Sequence, residues 1–120
     1  MAQSMNTKVD VVDSATAFHG LTTYGKIMVG DKAFEFYNDH NVQDYIQIPW
    51  EEVDYVTASV LFGGKKIPRF AIFTKKNGEF SFAARDPKKV LRAVNKYIPG
   101  EKMVRSLSAM EVLKKRITGK

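Results

Sequence analysis

The chain has 120 residues, 44% hydrophobic and 27% charged, in the proportions of one soluble globular domain. It contains no cysteine, which excludes disulfides, Cys-ligated zinc and thiol catalysis. The N-terminus lacks the basic-then-apolar order of a secretion signal, and no apolar run approaches the roughly 18 residues of a bilayer-spanning helix, so a cytosolic protein is expected.

The net charge of +6 conceals an asymmetry. Residues 1–64 carry three basic groups and nine acids; residues 65–120 carry sixteen basic groups and four acids. That polarity suits an anionic partner for the basic part, or head-to-tail association of copies, or simply a solvated surface whose charges segregate.

In chain order, Lys8 to Val12 is β-prone, Asp13-Ser14 reads as a turn, and Thr16 to Leu21 reads as a second strand. Gly25 to Val29, the tight turn Gly30-Asp31 and Lys32 to Tyr37 form a hairpin, with Phe34 and Phe36 on one face and Ala33, Glu35 and Tyr37 on the other. A polar loop (NDHN) leads to a strand at Tyr45 to Ile48, which Pro49 ends. Asp54 to Phe62 alternates again, placing Val56, Ala58, Val60 and Phe62 on the core side, and Gly63-Gly64 breaks it. Ile67 to Thr74 and Glu79 to Ala84 pair through Asn77-Gly78, with Phe80 and Phe82 facing the core. About seven strands by residue 84 predict a sandwich or open barrel.

The period then changes. Asp86 is an N-cap and Pro87 the first helical residue, and Val90, Leu91, Val94, Tyr97 and Ile98 fall on one helical face until Pro99-Gly100. A second helix is expected from Ser108, where Ser108 and Glu111 form a capping-box pattern ahead of Leu113 and Ile117. The expectation is one mainly β (α+β) domain over residues 1–120. Its core spans about residues 7–98, and a helical extension covers about residues 101–118.

Strands followed by one amphipathic helix across an open end resemble a pleckstrin-homology-like or GRAM-like barrel, seven-stranded and capped by its C-terminal helix. The words KAFEFYN, YIQIPWEEVDYV, IPRFAIFTKKNGEFSFAARDPKKVLRAV and MVRSL, in that order, resemble the ManO family over roughly residues 7–117. These are small proteins of unknown function encoded beside mannose-type phosphotransferase permeases in Gram-positive bacteria. The resemblance implies a cytosolic, non-enzymatic protein tied to mannose-family sugar uptake, which makes mannose-type permease subunits candidate partners; it supplies no agreed mechanism, no catalytic residues and no cofactor.

Two cationic clusters are candidate contacts. Lys65, Lys66 and Arg69 sit on a glycine-flexed hairpin, suited to phosphate oxygens. Lys88, Lys89, Arg92 and Lys96 lie on the outer helix face, suited to an acidic protein or an anionic leaflet. Lipid-binding pleckstrin-homology domains usually carry basic residues in the first hairpin loop, whereas the turn expected here, Asp13-Ser14, is acidic. Tyr45, Trp50 and Tyr55 are either a candidate aromatic interface or are buried against the C-terminal segment, and the residues alone leave both open. No helix-turn-helix spacing and no aromatic–basic interleaving favours nucleic acid. His19, His40 and the Glu51-Glu52 pair lack the neighbours that catalysis needs. The leading expectation is therefore an adaptor or regulator acting by protein contact. The alternatives are a peripheral anionic-membrane binder or a transcriptional regulator of the mannose operon, with homo-oligomers open to any of them.

Overall fold

A computed structural model describes residues 3–41 and 43–106. The strands are β1 (Val9–His19), β2 (Leu21–Gly30), β3 (Ala33–Asn38), β4 (Tyr45–Pro49), β5 (Val53–Leu61), β6 (Lys66–Thr74), β7 (Glu79–Ala84) and β8 (Met103–Ser106), with one helix, α1 (Pro87–Asn95), between β7 and β8. They form a single sheet in the order β4-β3-β2-β1-β7-β6-β5-β8. Every neighbouring pair is antiparallel except β5–β8. The expected second helix falls outside the described residues.

The chain differs from the sequence expectation at its start. Asp13-Ser14 is not a turn: β1 runs through it, pairing Asp13 with Ile27 and Ser14 with Lys26. The first hairpin turns instead at Gly20, whose φ of 79° suits a residue without a Cβ. Asp and Ser favour turns because their side chains bond nearby backbone. Here the Asp13 carboxylate is engaged elsewhere, accepting the Asp86 N–H at 2.7 Å. The strand count also rises to eight, because the stretch after α1 pairs with β5 rather than only linking two helices.

The sheet curls around one core. Phe34, Phe70 and Phe82 are fully or almost fully buried, with centroids 5.0 Å (Phe34–Phe82), 5.8 Å (Phe70–Phe82) and 6.1 Å (Phe34–Phe70) apart. The helix supplies Val90, Ala93 and Val94, and the following turn adds Ile98. Asp86 caps the helix by accepting the Lys89 N–H. Regular helix stops at Asn95, and the Tyr97 and Ile98 N–H groups both donate to the Val94 carbonyl, tightening the last turn.

Phe62 breaks the expected alternation. It lies beyond the end of β5 with a left-handed φ of 52° and is 73% exposed. Glu35 breaks it in the other direction. It is fully buried on the face opposite Phe34 and Phe36, because residues 3–7 cross that face as an irregular strap. Asn6 holds the strap to the β2–β3 turn, its Oδ1 accepting the Lys32 and Ala33 N–H groups at 2.8 Å. Gly30 has no room for a side chain there, since a Cβ would lie 2.4 Å from Asn6. Asp31 completes the anchor, accepting the Thr7 and Lys8 N–H groups and the Thr7 hydroxyl.

Phe82→Ala is expected to lower unfolding stability by about 3–5 kcal/mol in urea titration, from lost burial and the cavity left behind. The Thr7 hydroxyl and the Lys8 N–H hold the Asp31 carboxyl down at about 2, from an ordinary 3.8. A depressed carboxylate stabilises the fold above its unfolded value and loses that contribution as pH falls through the folded one. The melting temperature is therefore expected to fall between pH 4 and pH 2, and Asp31→Asn should flatten that limb.

Candidate partner-binding groove

Two adjoining depressions lie beside α1. One, of about 390 Å³, is lined by Ile67, Lys88, Leu91, Arg92, Asn95, Gly100 and Met103. The other, of about 230 Å³, is lined by Val56, Ala58, Val60, Leu91, Met103, Val104 and Arg105. Leu91 and Met103 belong to both, so the floor is a continuous apolar strip between helix and sheet. Lys88, Arg92 and Arg105 line its sides. This chemistry suits an apolar segment carrying acidic groups.

The local causes are readable. Helical spacing puts Lys88, Leu91, Arg92 and Asn95 on neighbouring positions of one side, while Val90, Ala93 and Val94 turn to the core. Pro99 stops the chain continuing as helix, a 3-10 turn follows at Gly100–Lys102, and β8 runs back along β5 in parallel, from Val56↔Met103 to Ser59↔Ser106. The β5 edge thus already accepts a short added strand, the geometry of strand addition.

The structure divides the cations singled out from sequence. Lys88 and Arg92 line the groove, and Lys65 and Lys66 are exposed on the hairpin leading to Ile67. Arg69 instead places its guanidinium 4.0 Å over the Phe18 ring on β1. Lys96 pairs with Asp10 at 3.3 Å, and Lys89 is exposed but does not line the groove. Arg105 and Met103 were missed because a four-residue strand carries no period of its own.

The three aromatics do not form one patch. Trp50 is half-buried, stacks on Tyr97 at 5.3 Å and donates Nε1–H to the Gly30 carbonyl at 2.8 Å. Tyr55 stacks on its cross-strand partner Phe73 at 4.5 Å. Tyr45 meets Tyr37 edge-on at 6.2 Å.

Tyr97 ties the end of the helix to the sheet by donating its hydroxyl to Asp10, at the irregularity between Val9 and Val11 in β1. That bond, with burial, pushes the Tyr97 phenol up to about 12. The same bond, aided by Lys96, holds the Asp10 carboxyl below its usual range. His19 packs on Phe80 at 4.8 Å, and His40 lies in an exposed loop. Among the described residues no group of three or more His, Cys, Asp or Glu could hold a metal ion, and no helix is long and apolar enough to cross a membrane.

Residues 1–117 match the family described as Domain of unknown function (DUF956). The chain belongs to that family. This DUF956 domain is similar in fold to the Vps36 N-terminal PH domain, with a TM-score of 0.56 at 18% identity over 75% of this chain and 76% of that one. It is also similar to the crystal structure of the C-terminal domain of an unknown protein from Leishmania infantum, with a TM-score of 0.65 at 9% identity over 75% and 83% of the two chains. A search of curated proteins finds no match. At these identities the likeness is one of fold, pleckstrin-homology-like.

Because β8 is short and pairs with β5 alone among the described strands, it should open before the rest of the sheet. Hydrogen exchange of the Val104 and Arg105 amides is expected to be at least about tenfold faster than that of Ile72. Equal protection would mean that β8 is a fixed part of the core sheet.

Proposed function

We propose that this DUF956 domain is a non-enzymatic adaptor or regulator that works by protein contact. The observation that carries the reading is the apolar strip between Leu91 and Met103 with Lys88, Arg92 and Arg105 along it. A groove of this kind fits an extended or helical segment of opposite charge, with apolar anchors for affinity and rim charges for orientation. The sequence resemblance to the ManO family supports a partner among the subunits of a mannose-type phosphotransferase permease, and with it a cytosolic setting.

A second reading rests on a separate observation. Phe62 is 73% exposed at the hairpin tip beside Lys65 and Lys66. An apolar tip flanked by cations suits an anionic leaflet, where each basic residue contributes about 1 kcal/mol. Such attachment would place the groove near a permease rather than compete with it.

Affinity purification from the native host after mild crosslinking tests the first reading. Mannose-type permease subunits should be enriched with the parent protein and reduced by at least about tenfold with Lys88→Glu/Arg92→Glu, as expected when rim charges reverse. Equal enrichment with both proteins would remove the groove from the interaction, and absence of those subunits would remove the adaptor reading. Sedimentation with phosphatidylglycerol vesicles at low salt tests the second: Phe62→Ser should release the protein, and no binding by the parent would end that reading.

A further inference from the structure

Glu35 is fully buried, the single charged side chain in the described core. Both of its oxygens act as acceptors twice. Oε1 accepts the Ser4 hydroxyl at 2.6 Å and the Asn6 amide at 3.0 Å; Oε2 accepts the Met5 N–H at 2.8 Å and the Gln47 amide at 3.0 Å. All four donors are uncharged, and three belong to the strap. Among the described residues no ion pair reaches Glu35.

A carboxylate taken from water is costly unless paired with a cation or saturated with donors. The strap meets the second condition, and it does so with an irregular segment whose Gln3, Met5 and Thr7 are exposed. Beneath it, the register of β3 and β4 sets Glu35 opposite Gln47 and Tyr37 opposite Tyr45. The Gln47 amide also donates to the Tyr37 hydroxyl at 3.1 Å, and the two tyrosine rings meet edge-on. Carboxylate, carboxamide and aromatic faces therefore adjoin on one surface. A planar fork of N–H donors fits that surface: it bonds both carboxylate oxygens at once and lies against a ring.

We propose that the β3–β4 face around Glu35 is a receptor for an arginine side chain presented by a partner protein, and that residues 3–7 occupy it in cis. The strap imitates the guanidinium with a hydroxyl, a backbone N–H and a side-chain amide. An arginine brings donors of the same geometry together with the missing positive charge. Binding exchanges the three neutral strap bonds to Glu35 for a bidentate ion pair, and lifting residues 3–6 also gives up the Asn6 bonds to Lys32 and Ala33 and the bond from the Gln47 amide to the Gln3 carbonyl, so this face opens only to a ligand that carries that charge. The site lies apart from the groove beside α1 and does not depend on it.

The test is nuclear magnetic resonance titration of the full chain with N-acetyl-arginine methylamide and with its neutral citrulline counterpart. The arginine compound is expected to shift the amides of Glu35, Tyr37, Tyr45 and Gln47 and those of Ser4 to Asn6, and the citrulline compound to shift none of them. Ser4→Ala/Asn6→Ala, which removes two of the strap's three bonds to Glu35 together with the Asn6 bonds to Lys32 and Ala33, should tighten the arginine compound by about tenfold. If that variant does not fold, Ser4→Ala alone should tighten it severalfold. Equal response to arginine and citrulline, or an arginine response confined to exposed acids such as Glu51, would overturn the proposal. So would a folded strap variant that binds no tighter than the parent.

Discussion

The structure depends on one packing event, the closure of the curled sheet by α1. A single sheet of this length leaves one face of Phe34, Phe70, Phe82, Ile27 and Ile72 to be covered, and Val90, Ala93, Val94 and Ile98 cover it. Val90, Val94 and Ile98 each contribute roughly 1.5–3 kcal/mol when fully buried, and the single methyl of Ala93 contributes less. The groove follows from the same event. A helix seated across the sheet has only part of its circumference in the core, so Leu91 is left half-covered at its margin. The chain then needs a return path, and β8 along β5 provides one wall. Tyr97 on Asp10 and Trp50 on Tyr97 tie the end of the helix to the sheet.

Much of this was legible in the chain. The placement of Phe34 and Phe36 on the core face, the Asn77-Gly78 turn and the Asp86-Pro87 helix start all express local rules, and the structure keeps them. What failed is what depends on distant partners. Asp13 and Ser14 have turn chemistry, but pairing with Ile27 and Lys26 overrides it. Glu35 reads as the solvent face of β3 until the polar segment of Ser4 and Asn6 is seen to lie over it. For Trp50 the sequence leaves open an exposed interface or burial against the C-terminal segment, and only the fold shows it stacked on Tyr97 with its indole N–H on the Gly30 carbonyl, twenty residues back.

The charge asymmetry along the chain acquires a spatial meaning. The acids of the first half are largely engaged in holding the scaffold: Asp31 anchors the strap, Asp13 the helix start, Asp10 the helix end, and Asp39 pairs with Lys26. Among the described residues the cations of the second half are mostly left on the surface, and Lys88, Arg92 and Arg105 converge on an apolar floor. Charges already paired contribute little to recognition, whereas unpaired ones beside apolar surface set partner sign and approach rate. Sequence reading gave the sign of the surface but grouped Lys96 and Arg69 with it, since only folding shows that one sits on Asp10 and the other on Phe18.

Site-specific photo-crosslinking in the native host decides whether the groove beside α1 meets a partner. A benzophenone side chain would replace Leu91 in the groove floor or, as a control, Leu21 at the 85%-exposed tip of the first hairpin. Capture of a mannose-type permease subunit is expected from position 91 and not from position 21. Capture from position 21 and not from 91 would contradict it.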